Sequence, residues 1–95
     1  MIVAVSGEFD GRVAGRVDEE LGRAIESSPT DVLLDLADCT FIDSSGLQVL
    51  LRAANRLGDQ GRTLAVCRSQ DEVAHLFRLT GLDLHRSLNV YDGWP

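Results

Sequence analysis

The chain has 95 residues, enough for one domain with one core and too few for two ordinary ones. Apolar residues make up 44% and charged residues 25%, and Leu, Ile, Val and Phe account for 29 of the 95, which excludes a disordered chain. Nine basic residues, all arginine, stand against fifteen acidic ones for a net charge of −6; a reader of duplex nucleic acid needs a positive face, so no nucleic-acid partner is expected.

No apolar run approaches the roughly 20 residues of a helical membrane crossing. The opening Met1-Ile2-Val3-Ala4-Val5-Ser6-Gly7 lacks a basic n-region and a cleavage site, and charge follows at Glu8. The expectation is no membrane association and a cytoplasmic, reducing compartment, where Cys39 and Cys67 need no disulfide.

In chain order, Ile2 to Ser6 reads as a short β-branched strand. Asp10 can cap a helix carrying Val13, Val17, Leu21 and Ala24/Ile25 at helical spacing. Gly15 and Gly22 weaken that helix by about 1 kcal/mol each, so packing must hold it. Ser27 to Thr30 is a loop. Val32, Leu34 and Leu36 alternate with Leu33 and Asp35 as a strand with one wetter face. Ser44 starts a helix through Leu47, Leu50, Leu51, Ala54 and Leu57, ended by Gly58 and Gly61. Thr63 to Cys67 is a strand. Ser69-Gln70-Asp71-Glu72 has the spacing of a capping box ahead of Val73, Leu76, Phe77 and Thr80, and Gly81 closes that helix. Leu88 to Tyr91 is a last strand. The order β-α-β-α-β-α-β predicts an α/β domain over residues 1–95: a mostly parallel sheet of β-α repeats, with helices packed on it.

In such a sheet, function concentrates beyond the carboxyl ends of the strands, where helices begin. Three segments qualify: Gly7 to Asp10, Phe41 to Gly46, and Arg68 to Gln70. In the middle one a strand delivers Asp43, and then Ser44, Ser45 and Gly46 open a helix whose first N–H groups have no internal partner and carry partial positive charge. A hydroxyl there is held toward solvent, and a phosphate placed on it would sit at an anion site. Gly46, lacking a side chain, would let another protein's backbone approach. The plainer reading has Ser44 capping the helix and Asp43 satisfying loop amides.

These residues carry a family resemblance. Asp31 to Leu51 contains Val32-Leu33-Leu34-Asp35-Leu36, then Phe41-Ile42-Asp43-Ser44-Ser45-Gly46-Leu47, then an apolar helix, and is similar to the central segment of STAS domains, the anti-sigma factor antagonists. Gly7-Glu8-Phe9-Asp10 resembles the turn after the family's second strand. Leu57 to Val66 resembles its turn into the next strand, and Phe77 with Thr80-Gly81-Leu82 its following helix end. The resemblance spans nearly the whole chain in the right order.

The resemblance implies a bacterial partner switch rather than an enzyme. An antagonist with an unmodified serine binds an anti-sigma factor that is also a serine protein kinase, freeing the sigma factor for transcription. The kinase phosphorylates the first serine after the aspartate, which breaks the complex, and a serine phosphatase restores it. Carried over, that serine is Ser44. Asp10 and Asp43 match the acidic positions flanking it, and Ser45 and Gly46 complete the loop. The partner-binding surface expected is Asp10, Asp43, Ser44, Ser45, Gly46 and Gln48 on the exposed side of the helix, with Ser69. Gln48 stands where many members have a second glycine, which bears on the partner that fits the first turn. The family begins with an extra strand and ends with a further helix. Against that pattern the chain starts near the second strand and stops at Tyr91 to Pro95, as a minimal or trimmed domain would.

Two other functions stay open: a STAS subunit of a lipid-transport or stress-sensing complex without a phospho-switch, and a small nucleotide-binding enzyme. The serines are not in G-x-S-x-G, no histidine is placed by motif as a base, and Walker or dinucleotide glycine loops are absent, so no catalytic residue and no cofactor are expected. No C-x-x-C exists, and Asp10 and Asp43 read as caps, so no metal is expected either. Cys39 and Cys67 fall near the ends of strands expected to be neighbours, which allows a redox bridge; the simpler expectation is two reduced, partly buried thiols. His75 reads as half-buried and His85 as a loop residue. Arg12, Arg16 and Arg23 on one helix and Arg52 and Arg56 on the next read as solvated, with Arg12 or Arg52 available to an acidic partner edge.

Overall fold

The computed structural model describes all 95 residues. The elements are β1 (Ile2–Ala4), β2 (Gly7–Phe9), α1 (Gly11–Ser27), β3 (Val32–Asp35), β4 (Cys39–Ile42), α2 (Ser44–Gly58), β5 (Leu64–Cys67), α3 (Asp71–Thr80), a single 3-10 turn (Leu82–Leu84) and β6 (Leu88–Tyr91). The main sheet is parallel throughout, in the order β1-β3-β5-β6, and β2 and β4 form a second, parallel pair. The expected α/β architecture with its β-α repeats is therefore what the chain adopts, with six strands in place of the four expected.

The two additional strands come from one cause. The chain bends after β1 and again after β3, in step. Val5 donates its N–H to Asp35 O at 3.1 Å and Gly7 donates to Asp38 O at 2.9 Å, so the two bent segments stay bonded through the corner. Gly7 has φ +71°, a conformation glycine adopts without side-chain strain, and the register of β2 on β4 shifts there. Gly7 to Phe9, expected to be a turn, is thus a strand after the corner. The bend also separates the cysteines. Cys39 lies in β4 opposite Gly7, whereas Cys67 lies in β5 between Asp35 and Tyr91, so their strands are not neighbours, and both thiols are free and buried.

Every crossover steps the sheet in the same direction. Right-handed connections then place α1, α2 and α3 on one face. That face carries Val3, Val32, Leu34, Leu64, Val66 and Leu88, which form one buried cluster with Val17, Leu21, Ala24 and Ile25 of α1, Leu50, Ala54 and Leu57 of α2, and Val73 and Phe77 of α3. The α1 stripe is the one its spacing predicts. The α2 stripe is rotated: Val49 and Ala53 are buried, Leu47 is half-buried and Leu51 is 40% exposed. Because α2 packs against α1 as well as the sheet, its apolar arc widens toward that neighbour and leaves Leu51 outside.

Two end signals are also corrected. Gln70, not Ser69, is the N-cap of α3, and no side chain caps that helix. The Gln70 amide instead donates from Nε2 to Ala37 O at 3.0 Å, pinning the β5–α3 turn to the β3–β4 connection, and Asp71 and Glu72 supply the favourable negative charge of the first turn. His75 is exposed rather than half-buried. His85 ends the 3-10 turn, with Nε2 2.8 Å from Asn55 Oδ1 and Nδ1 accepting the Ser87 N–H at 3.0 Å.

Candidate functional site

The helices α1 and α2 begin directly after β2 and β4, and since those strands pair, the two helix starts lie side by side. Asp43 donates its N–H to Phe9 O at 3.2 Å, tying the start of α2 to the end of β2. A Cβ built on Gly11 would stand 3.6 Å from Ser45 Oγ. Asp10, Asp43, Ser44 and Ser45 are therefore gathered at one place.

Each aspartate is a cap. Asp10 Oδ1 accepts the Arg12 N–H at 3.0 Å, while Oδ2 accepts from Arg12 Nε at 3.1 Å and Nη2 at 2.8 Å; the same Nη2 donates to Glu8 Oε2 at 3.2 Å. The Arg12 guanidinium beside Asp10 holds that carboxyl below the ordinary carboxylate range. Asp43 Oδ1 accepts the Gly46 N–H at 3.1 Å and its carbonyl accepts the Leu47 N–H at 3.0 Å. With Asp43 as the cap, Ser44 is the first helical residue, and the plainer assignment of the cap to Ser44 does not hold. The Ser44 side chain is exposed and its hydroxyl makes no hydrogen bond within the chain.

Gly46 does not serve the purpose expected of it. It is buried, and a Cβ there would lie 2.7 Å from Phe9 O and 2.8 Å from Ile42 Cγ2. The missing side chain lets the chain's own β2 approach α2, so Gly46 is turned away from any partner. Gln48 is exposed one turn beyond Ser44 on the same side of α2, and Leu51 continues that side. Ser69 is half-buried in the β5–α3 turn, which is bonded through Gln70 to Ala37 and through Arg68 to Asp35 and Tyr91 rather than to the helix start after β4.

Phe41 opens the segment singled out in the sequence but is given no role there. It is 50% exposed on β4, two residues before Asp43, and lines a groove of about 250 Å³ with Thr40, Ile42, Glu72, Val73 and Leu76. An aromatic side chain in an apolar strand reads as core, and nothing in the local pattern marks it as exposed. No cluster of three or more His, Cys, Asp or Glu side chains is arranged to hold a metal ion. Arg52 and Arg56 pair across the helix interface with Asp18 at 3.6 Å and Glu26 at 3.3 Å, and no helix is long and apolar enough to cross a membrane.

A parallel sheet covered on one face by three helices, with an aspartate-capped helix that opens on an exposed serine, defines the class: a small single α/β domain. The STAS domain family model matches residues 1–92, and the chain belongs to that family. It is 31% identical over 93 residues to an anti-sigma F factor antagonist of Paenibacillus polymyxa, covering 97% of this chain and 78% of that one. It is 27% identical over 82 residues to an anti-sigma-F factor antagonist of Mycobacterium tuberculosis, covering 86% of this chain and 66% of the other. The fold superposes with TM-score 0.79 on a sulfate transporter family protein from Wolinella succinogenes at 22% identity, over 97% of this chain and 75% of that one, a likeness of fold alone.

Proposed function

We propose that the chain is an anti-sigma factor antagonist that binds an anti-sigma factor with serine kinase activity while Ser44 is unmodified and releases it when Ser44 is phosphorylated. The observation that carries this reading is the Ser44 hydroxyl: exposed, free of internal hydrogen bonds, and relieved of capping duty by Asp43. The names of the relatives support an anti-sigma factor as partner.

The electrostatics give the switch its direction. A phosphoryl group brings roughly −1.5 to −2 charges to that point. The basic side chain in the first turn of α1, Arg12, is already engaged by Asp10 and Glu8. The new charge therefore adds to a site flanked by Asp10 and Asp43, on a chain already at −6. A partner surface complementary to a neutral hydroxyl loses hydrogen bonds and gains repulsion. Asp10, Asp43, Ser45 and Gln48 border this surface in the proposal, with Gly46 acting from inside to set the path of α2; Ser69, whose turn is bonded to the β3–β4 connection, is left outside it.

Binding of purified variants to the cognate anti-sigma kinase tests the reading. Ser44→Ala should bind as the unmodified chain does and gain no phosphoryl mass with ATP. Ser44→Asp should bind at least about tenfold more weakly, roughly 1.4 kcal/mol. Equal binding by both variants, or ATP-dependent mass gain at a residue other than Ser44, overturns it. Restoration of binding by a serine phosphatase completes the cycle.

A further inference from the structure

The face of the main sheet opposite the helices carries two rows of side chains in register: Ile2, Leu33, Ala65 and Asn89, then Ala4, Asp35, Cys67 and Tyr91. No helix packs there, and neither Ala65 nor Cys67 belongs to the buried cluster on the other side. Cys67 is nevertheless completely inaccessible, at 0% exposure. Side chains alone must hide it.

The residue after it explains how. Arg68 is the chain's sole non-glycine residue with positive φ, at +60°, a strained conformation. The left-handed turn sends its side chain back toward the sheet, where Nε and Nη2 donate to Asp35 Oδ1 and Oδ2 at 3.1 and 2.5 Å, beside Cys67 in the register. Its N–H donates to Tyr91 O at 3.2 Å. Beyond Tyr91 the chain turns so that the Trp94 ring lies over the guanidinium, 4.5 Å from Arg68 Cζ to the ring centroid, with the indole 48% exposed. Asp35, Arg68 and Trp94 thus form a stack at the end of the sheet, above a row that includes Cys67.

We propose that the segment Tyr91 to Trp94 is a latch: Trp94 on Arg68 closes the carboxyl end of the bare sheet face and shields the Cys67 thiol, and opening of the latch makes that thiol reactive. The closed state is inert for two reasons. The sulfur is out of reach, and burial, reinforced by the charge of Asp35, pushes the thiol toward its protonated form, with Arg68 opposing only in part. Opening removes the cover and the burial together, because Trp94 and Arg68 are exposed side chains that solvent can receive without unfolding the core; the Asp35 charge stays in place. Cys39 provides the internal standard. It is equally buried, lies in the other sheet within the main hydrophobic cluster, and can be reached only by unfolding.

Alkylation of the folded chain by iodoacetamide, followed by mass mapping of each cysteine, reads the latch directly. The thiolate sulfur displaces iodide, forming one S–C bond, and the thiol proton goes to buffer. Trp94→Ala, a change at a half-exposed position, should accelerate alkylation of Cys67 about three- to tenfold, in keeping with an exposed cation–π contact and the ring's cover, and leave Cys39 unchanged. Arg68→Gly keeps the left-handed turn without strain while removing the side chain; because it also removes the cation that favours the thiolate, its rate is compared at the high-pH plateau, where the thiol is fully ionised, and there Cys67 should react at least as fast as in Trp94→Ala. An unchanged Cys67 rate in either variant overturns the proposal, as does an equal rise at both cysteines, the mark of global opening. None of these outcomes depends on Ser44 or on the partner proposed for it.

Discussion

Asp43 and Ser44 divide two tasks that a serine at a helix start commonly performs together. Asp43 satisfies the orphan N–H of Gly46, and the Ser44 hydroxyl is left without a hydrogen-bond partner inside the chain. The division predicts opposite responses to alanine. Asp43→Ala should lower unfolding free energy by about 1 kcal/mol, the usual value of a lost N-cap. Ser44→Ala should stay within about 0.5 kcal/mol, because no bond is broken. Gly46→Ala should cost about 2 kcal/mol or more, since its Cβ would press on backbone at Phe9 and on Ile42, neither of which moves freely. Urea unfolding of the three variants checks the series. A Ser44→Ala loss as large as that of Asp43→Ala would show the hydroxyl to be structural.

The helices and strands owe their ends to contacts between distant segments as much as to their own residues. The S-x-x-E spacing at Ser69 is a capping signal that α3 does not use; Gln70 leaves the helix to bond Ala37, 33 residues earlier. Ser69→Ala should therefore be silent, within about 0.5 kcal/mol, whereas Gln70→Ala should cost about 1 kcal/mol; thermal unfolding of the pair distinguishes the cross-link from the capping box. Arg62 is a second such tie. Its guanidinium donates to the carbonyls of Ile25, Ser28 and Thr30, closing the end of α1 and the following loop from a residue more than 30 positions away. The bends after β1 and β3 belong here too, because β2 exists only as the partner of β4.

For the molecule as a whole, two ion pairs contribute to the loss of stability in acid. Arg12 lowers the Asp10 carboxyl and Arg68 lowers that of Asp35, each chiefly through side-chain hydrogen bonds. In the unfolded chain both return to about 3.9. A lowered folded value stabilises the native state above that pH, and the contribution is lost as pH falls through the folded values. Stability should accordingly fall below about pH 4, and Asp35→Asn should show a shallower fall than the unmodified chain in urea titrations at successive pH. The same comparison shows where the linear chain was informative. The α/β order, the α1 stripe, the Asp10 cap and the serine after Asp43 follow from local rules, since periodicity and capping act over a few residues. The bent strand pairs, the inward Gly46, the exposed Phe41 and Leu51, and the Arg68–Trp94 stack were not legible, because each depends on which distant segment lies alongside. One-dimensional pattern therefore settled the three helices, the four strands of the main sheet and the place of Ser44 at the start of α2. Packing in three dimensions settled which face of each element meets solvent, because burial belongs to pairs of surfaces and no single segment carries the information for both.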